Sequence, residues 1–111
     1  MVMSERKFRT ALVAMAPDAD PVRHRSVVET SIYSLTTVLV RNEDEAVTIC
    51  KELVRKDGIQ SFLLCPGFTN KGVARVADAV GEDVSVNVAR GDNPSNAAAH
   101  RIMSEVGFFK H

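Results

Sequence analysis

The sequence of 111 residues contains no tryptophan, a single tyrosine and only two cysteines. Cys50 and Cys65 lack the spacing of a metal site, and in a small chain without a secretory leader they need not form a disulfide. Residues 1 to 10 include four charged side chains, which argues against a signal peptide. The cytoplasm is therefore the expected location.

The chain also has no net charge, because fourteen basic residues balance fourteen acidic ones. A balanced chain has no net field that would steer it toward nucleic acid or an anionic membrane surface. No apolar run approaches the ~20 residues that a membrane-spanning helix needs. We therefore expect neither a nucleic-acid partner nor a membrane partner.

The composition is otherwise ordinary for a globular protein, with 45% apolar and 25% charged residues. The length suits one core, so we treat residues 1–111 as a single domain. Four apolar or alternating segments predict β-strands. These segments are residues 8–16, 34–40, 59–65 and 84–89.

Three further segments show apolar stripes at helical spacing between an N-cap residue and a closing glycine. The predicted helices begin at caps Asn42, Thr69 and either Asn93 or Ser95, and they end at Gly58, Gly81 and Gly107. In the last helix the residues expected to face inward are Ala98, Ile102, Met103 and Val106. This alternation predicts an α/β fold with right-handed βαβ crossovers, a mostly parallel sheet of about four strands and about three helices.

The segment 20–33 is the ambiguous part of the chain. Asp20 before Pro21 is typical of an N-cap followed by a first-turn proline, so at least one helical turn should begin there. Residues 26–33 are rich in β-branched side chains but are also compatible with the end of a crossover helix. We favour a short helix followed by extended chain.

Parallel strands end at a common edge, where α/β proteins bind ligands. The loop after the third predicted strand, residues 65–72, has the features of an anion-binding turn: a glycine, a hydroxyl and a positive charge at a helix start. It lacks the spacing of a nucleotide P-loop, and we predict no cofactor. The predicted ligand-binding residues are Asp18, Gly67, Thr69, Lys71, Arg90 and Asp92, with Gly67 and Thr69 facing Arg90 and Asp92 across the main pocket. A plain strand-to-helix connection is the alternative interpretation of the loop.

Two residues are weak candidates for catalysis. Cys65 lies just before a helix N-terminus, a setting that lowers a thiol pKa. His24, the one histidine on a predicted loop, is the candidate base. Nothing in the spacing brings them together, so a buried structural Cys65 is the simpler interpretation. Asp18, Asp20 and His24 offer ligands for a divalent cation, but such a cluster in one turn more often caps a helix, and we predict no metal site.

Three stretches resemble a small prokaryotic family of α/β proteins of unknown function. They read APDADPVRHRSVVET, EDEAVTICKELV and LLCPGFTNKGVARVADAVGEDVSVNVARGD. Members of that family typically have a strand that ends in a Cys-Gly-Gly-Phe or Cys-Pro-Gly-Phe turn and a later valine-rich strand that ends in arginine. The resemblance covers residues 8–92 and implies a compact α/β fold without an established substrate or catalytic residue. In this chain Pro66 takes the place of the first glycine of the Cys-Gly-Gly-Phe form. A proline there stiffens the loop and removes one backbone N–H donor.

The leading hypothesis is a cytoplasmic protein that binds a small anionic ligand, bearing a phosphate or a carboxylate, at the strand-end loops. An enzyme using Cys65 or His24 on a small metabolite is one alternative, and an oligomeric scaffold without a ligand is another. We also expect a homo-oligomer, most simply a dimer. Adjacent aromatic residues Phe108 and Phe109 would leave apolar surface in water, and so would one sheet face if the helices cover only the other. The alternative is that the two aromatic rings fold back onto their own core.

Overall fold

The computed structural model describes residues 6–110, which form five strands and three α-helices. In chain order they are β1 (Phe8–Met15), β2 (Arg25–Glu29), β3 (Tyr33–Val40), α1 (Glu43–Asp57), β4 (Ser61–Leu64), α2 (Asn70–Val80), β5 (Ser85–Val88) and α3 (Asn93–Glu105). Among the described residues, no helix combines the length and the apolar character that crossing a membrane requires.

The strands form one sheet in the order β2-β3-β1-β4-β5. β1 pairs in parallel with β3 and β4, and β4 pairs in parallel with β5. The expected parallel α/β arrangement is therefore present, with one strand more than the four predicted. α1 crosses over β1 to connect β3 with β4, and α2 connects β4 with its neighbour β5.

The additional strand, β2, lies where extended chain was expected after a short helix within residues 20–33, and the short helix itself is reduced to one turn. β2 pairs with β3 in antiparallel register, with Val27 opposite Thr36. The hairpin turn is stabilised by the Thr30 hydroxyl, which accepts the N–H groups of Ile32 and Tyr33 at 3.3 and 3.0 Å. β-Branched valines suit an edge strand, and pairing with β3 outweighs the local helical alternative.

The turn at Asp20 forms as its sequence indicates. The His24 N–H donates to the Asp20 carbonyl at 2.8 Å, and the Asp20 carboxylate accepts the N–H of Val22 at 3.0 Å. This backbone hydrogen bond from Val22 is the main cause of a lowered pKa at Asp20. The chain then continues directly into β2, so the turn is a single helical turn without a helix after it.

Both α1 and α2 pack on the same face of the sheet, and the core lies between them and the strands. α1 begins at Asn42, whose side chain accepts the Glu45 N–H at 2.9 Å, and it stops at Gly58 in the left-handed conformation, with φ 68°. This is the helix that the capping pattern predicted. The buried core residues are Ala11, Val13, Val38, Val40, Ala46, Ile49, Cys50, Leu53, Ile59, Phe62, Leu64, Phe68 and Val76.

The third helix departs from expectation. Its cap is Asp92, which accepts the Ser95 N–H at 2.9 Å, rather than Asn93 or Ser95. None of its residues is buried, and Ile102 and Val106, expected to face inward, are 54% and 67% exposed. Among the described residues, no helix packs on the sheet face opposite α1 and α2.

Candidate functional site

The carboxyl ends of β1, β3, β4 and β5 meet at one edge of the sheet, because these four strands are parallel. An open cleft of about 440 Å³ lies there, between the start of α1 and the start of α2. We call it the strand-end cleft. Its lining residues are Met15, Arg41, Asn42, Glu43, Asp44, Gly67, Thr69 and Arg75.

The two helix starts are joined by Glu43, in the first turn of α1. The Glu43 carboxylate accepts the backbone N–H of Thr69 at 2.7 Å and the Thr69 hydroxyl at 3.0 Å. The Thr69 hydroxyl in turn accepts the N–H of Gly72 at 3.0 Å, so Thr69 is the N-cap of α2. A carboxylate from within the chain therefore occupies the N-terminus of α2, where the sequence predicted an external anion.

This arrangement requires a glycine at position 72. Gly72 is buried, and a methyl group built on its Cα would overlap the Glu43 carboxylate. The glycine is thus explained by the close approach of a side chain from another helix, without any unusual backbone angle. Glu43, Thr69 and Gly72 together form what we call the helix clamp.

Two arginines lie at the strand-end cleft, and each is held by one carboxylate. Arg41 donates through Nη2 to Glu45 at 2.8 Å and through Nε at 3.3 Å, while Arg75 donates through Nη2 to Asp44 at 2.7 Å. The hydrogen bond to Glu45 raises the pKa of Arg41, and the same bond lowers the pKa of Glu45. Both arginine side chains remain about half exposed, at 58% and 49%.

The predicted ligand-binding residues divide between two sides of the loop. Gly67 and Thr69 line the strand-end cleft. Arg90 does not line it: its Nη1 donates to the Pro66 carbonyl at 2.8 Å and its Nη2 lies 3.3 Å from the Asn70 side-chain oxygen. The others lie outside the cleft, Asp92 as the cap of α3 and Asp18 and Lys71 as exposed side chains.

The structure also separates the two weak catalytic candidates. His24 precedes β2 and accepts the Asp20 N–H on Nδ1 at 2.9 Å, whereas Cys65 follows β4. β2 and β4 are three strand positions apart in the sheet, which corresponds to about 14 Å at ~4.8 Å per strand. A direct hydrogen bond between His24 and Cys65 is incompatible with that spacing. Within residues 6–110, no group of three or more His, Cys, Asp or Glu side chains is placed to hold a metal ion.

The two thiols should differ sharply in reactivity. Cys50 is fully buried on α1, and burial raises the pKa of its thiol to about 12. We expect iodoacetamide at pH 8 to leave Cys50 unmodified in the native protein and to modify it once the protein is unfolded, because only the thiolate reacts. Mass spectrometry of the labelled peptides measures both sites. Native labelling of Cys50 as fast as Cys65 would contradict this prediction, and slow labelling of Cys65 would count against an activated nucleophile there.

The ligand-binding residues predicted from the sequence do not include Arg41, Glu43 or Arg75, which line this edge. Glu43 has a sufficient local explanation in the sequence, because an acidic residue in the first turn is stabilised by the dipole of its own helix. The sequence does contain one signal of the contact that Glu43 makes. Gly72 lies inside a predicted helix, where no turn requires a glycine, and so it indicates that another group approaches the helix backbone closely. The partner of that glycine could not be read from the sequence, because Glu43 and Gly72 belong to different helices.

The fold and the cleft define a small α/β domain with a strand-end cleft of the kind in which open α/β sheets bind ligands. The chain belongs to a family described as a family of unknown function, DUF6506, whose match covers residues 8–104. No curated protein and no solved structure matches the chain significantly.

Proposed function

We propose that this protein binds a small anionic ligand, bearing a phosphate or a carboxylate, in the strand-end cleft. The observation that carries the proposal is the pair Arg41 and Arg75, which line one cleft and are both about half exposed. A guanidinium has five N–H donors, and the hydrogen bonds to Glu45 and Asp44 use only part of each set. The remaining donors suit planar or tetrahedral oxyanions.

The helix clamp favours one side of the loop for the proposed ligand. Glu43 already occupies the N-terminus of α2, so an external anion would meet a like charge there. We therefore place the proposed anion next to Arg41 and Arg75. The loop residues Gly67 and Thr69 then form the adjacent wall of the cleft. This moves the proposed cationic contacts from Lys71 and Arg90 to Arg41 and Arg75.

Charge balance limits the affinity. The acidic groups Glu43, Asp44 and Glu45 lie beside the two arginines, and the cleft is open to water, which screens each contact. We assign the ligand a dissociation constant of roughly 1 mM for a simple anion, tightening as the rest of a metabolite adds contacts. In keeping with two free thiols, the proposed setting is the cytoplasm.

A thermal-shift comparison tests the ligand site. Phosphate and citrate at 10 mM, measured against sodium chloride of equal ionic strength, should stabilise the wild type by roughly 1.4 kcal/mol, or about 6 °C in Tm, if the dissociation constant is near 1 mM. Arg41→Gln and Arg75→Gln should each remove most of that shift. Arg101→Gln, a matched loss of one guanidinium on exposed α3, should keep it. The proposal is overturned if neither anion shifts the wild type, or if all three variants respond alike.

Self-association is the second candidate role, corresponding to an oligomeric scaffold. It is favoured by a different observation, the apolar sheet face on which no described helix packs. This property does not depend on the ligand, and the surface that would mediate it can be specified from the fold.

A further inference from the structure

The sheet face opposite α1 and α2 contains no charged residue. Residues on this face alternate along each strand with those of the core, and the strand registers align them into one surface. We call it the open face. Its residues are Phe8, Thr10, Leu12, Ala14, Ser26, Val28, Tyr33, Leu35, Thr37, Leu39, Ser61, Leu63, Ser85 and Asn87.

Large apolar side chains on the open face reach solvent. Phe8 is 53% exposed, Val28 is 67% exposed and Leu63 is 43% exposed. A sheet face that stays in water usually carries polar or charged side chains. An apolar patch without charges is instead typical of the centre of a protein–protein interface. The face is therefore suited to contact with another apolar surface.

Two polar side chains of the open face, Thr10 and Asn87, are already hydrogen-bonded within the sheet. The Thr10 hydroxyl lies 2.9 Å from the Tyr33 hydroxyl and donates to the Ser34 carbonyl at 3.0 Å. The Asn87 side-chain amide donates to the Phe62 carbonyl at 3.3 Å and to the Ser85 hydroxyl at 3.0 Å. Covering the face would therefore leave the Thr10 hydroxyl and the Asn87 amide with hydrogen-bond partners, which lowers the desolvation cost.

Helix α3 offers the complementary surface. Ala98, Ile102 and Val106 follow one another at four-residue intervals and so form a stripe along one side of the helix. Phe109 extends this apolar end, 55% exposed and stacked on the His100 ring at a centroid distance of 4.7 Å. α3 therefore has an amphipathic pattern without a buried residue.

α3 makes no extensive contact with the described strands or with the other two helices, and it follows a linker that is itself hydrogen-bonded to the body of the protein. The Ala89 N–H still donates to the Leu64 carbonyl at 2.9 Å, so the β5 ladder continues past the strand. Arg90 is anchored to the Pro66 carbonyl, and Asp92 already caps α3. The molecule measures 49 Å along its longest axis and 27 Å along the others, in keeping with a helix that projects from a compact body.

We propose that a second copy of this chain covers the open face, with α3 of each copy docked on the open face of the other. This one symmetric arrangement hides both unpartnered apolar surfaces. The proposal rests on the self-association considered above and is independent of the anion site.

The dimensions agree with such an exchange. A helix of 13 residues is about 20 Å long, and strands of eight residues such as β1 and β3 extend about 26 Å, so α3 fits along the sheet. A standard stable interface buries about 1,600 Å² in total, so each of the two helix-on-sheet contacts would have to bury about 400 Å² on each side.

Light scattering and crosslinking together test the proposal. The wild type at 50 µM should scatter with twice the 12.1 kDa mass of one chain. For crosslinking, Leu63→Cys and Ile102→Cys are made separately in a Cys65→Ser background, mixed, and oxidised. The mixture should give a covalent heterodimer at least about tenfold above a control mixture of Leu63→Cys with Lys51→Cys, since Lys51 is exposed on α1, across the sheet from the open face. Thermal melts of each single variant confirm that it is folded.

The possible outcomes distinguish the exchange of α3 from self-association in general. A wild type that scatters as a monomer overturns both the exchange and self-association. A dimer without heterodimer crosslinks above the control overturns the α3 docking while self-association stands. If the double variant Leu63→Cys/Ile102→Cys instead forms a bond within one chain and the mixture forms none, α3 folds back on its own sheet and the exchange is wrong. None of these results bears on the thermal-shift test of the anion site.

Discussion

Replacing Phe68 with alanine should lower the free energy of unfolding by about 3–5 kcal/mol, the cost of removing a buried phenylalanine from a packed core. Phe68 belongs to the loop between β4 and α2, yet it is 1% exposed and lies within the main core. Its N–H donates to the Cys65 carbonyl at 3.2 Å, which closes the turn above the end of β4. The ring therefore anchors the loop that carries Gly67 and Thr69.

Denaturant titration followed by circular dichroism measures this effect. The midpoint for Phe68→Ala should fall strongly with an unchanged slope, while Phe68→Leu, which keeps most of the volume, should lose about 1–1.5 kcal/mol. Ile32→Ala provides the surface control, since Ile32 is 73% exposed and should change stability by less than ~0.5 kcal/mol. A loss for Phe68→Ala no larger than that of Ile32→Ala would show that the loop is not anchored by this ring.

Much of the fold could be predicted because its signals are local. The cap at Asn42, the apolar stripe of α1 and the glycine that ends it all lie within one short segment, and the structure has the helix where they indicate. The parallel sheet followed from the alternation of strands and helices. β2 escaped prediction because its stability comes from pairing with β3, and the segment by itself is equally compatible with a helix.

The position of the candidate site could be predicted from the sequence, but most of the side chains that form it could not. The carboxyl edge of the sheet follows from topology, which is why Gly67 and Thr69 do line the strand-end cleft. The side chains opposite them depend on how α1 and α2 pack, and that packing brings Glu43 and Arg75 to the cleft from two different helices. Similarly, the apolar stripe of α3 was visible in the sequence, but a stripe does not specify which surface it contacts.

The helix clamp should behave as a single unit when its members are changed together. Gly72→Ala forces the Glu43 carboxylate away from Thr69 and so loses charge-assisted hydrogen bonds of roughly 2 kcal/mol. The better helix propensity of alanine returns up to about 1 kcal/mol, so the expected net loss is about 1–2 kcal/mol. Glu43→Ala alone should cost about 2 kcal/mol, because the same hydrogen bonds are lost without any gain.

The double variant separates the clamp from ordinary helix effects. Once Glu43 is alanine, nothing from that side chain opposes a methyl group at position 72, so adding Gly72→Ala should be neutral or stabilising by up to about 1 kcal/mol. Chemical denaturation of the wild type, both single variants and the double variant should therefore give a coupling free energy of about 2 kcal/mol. Ala74→Gly, at an exposed position of the same helix, should show no coupling to Glu43→Ala. If the effects of Glu43→Ala and Gly72→Ala simply add, the carboxylate is not what requires a glycine at position 72.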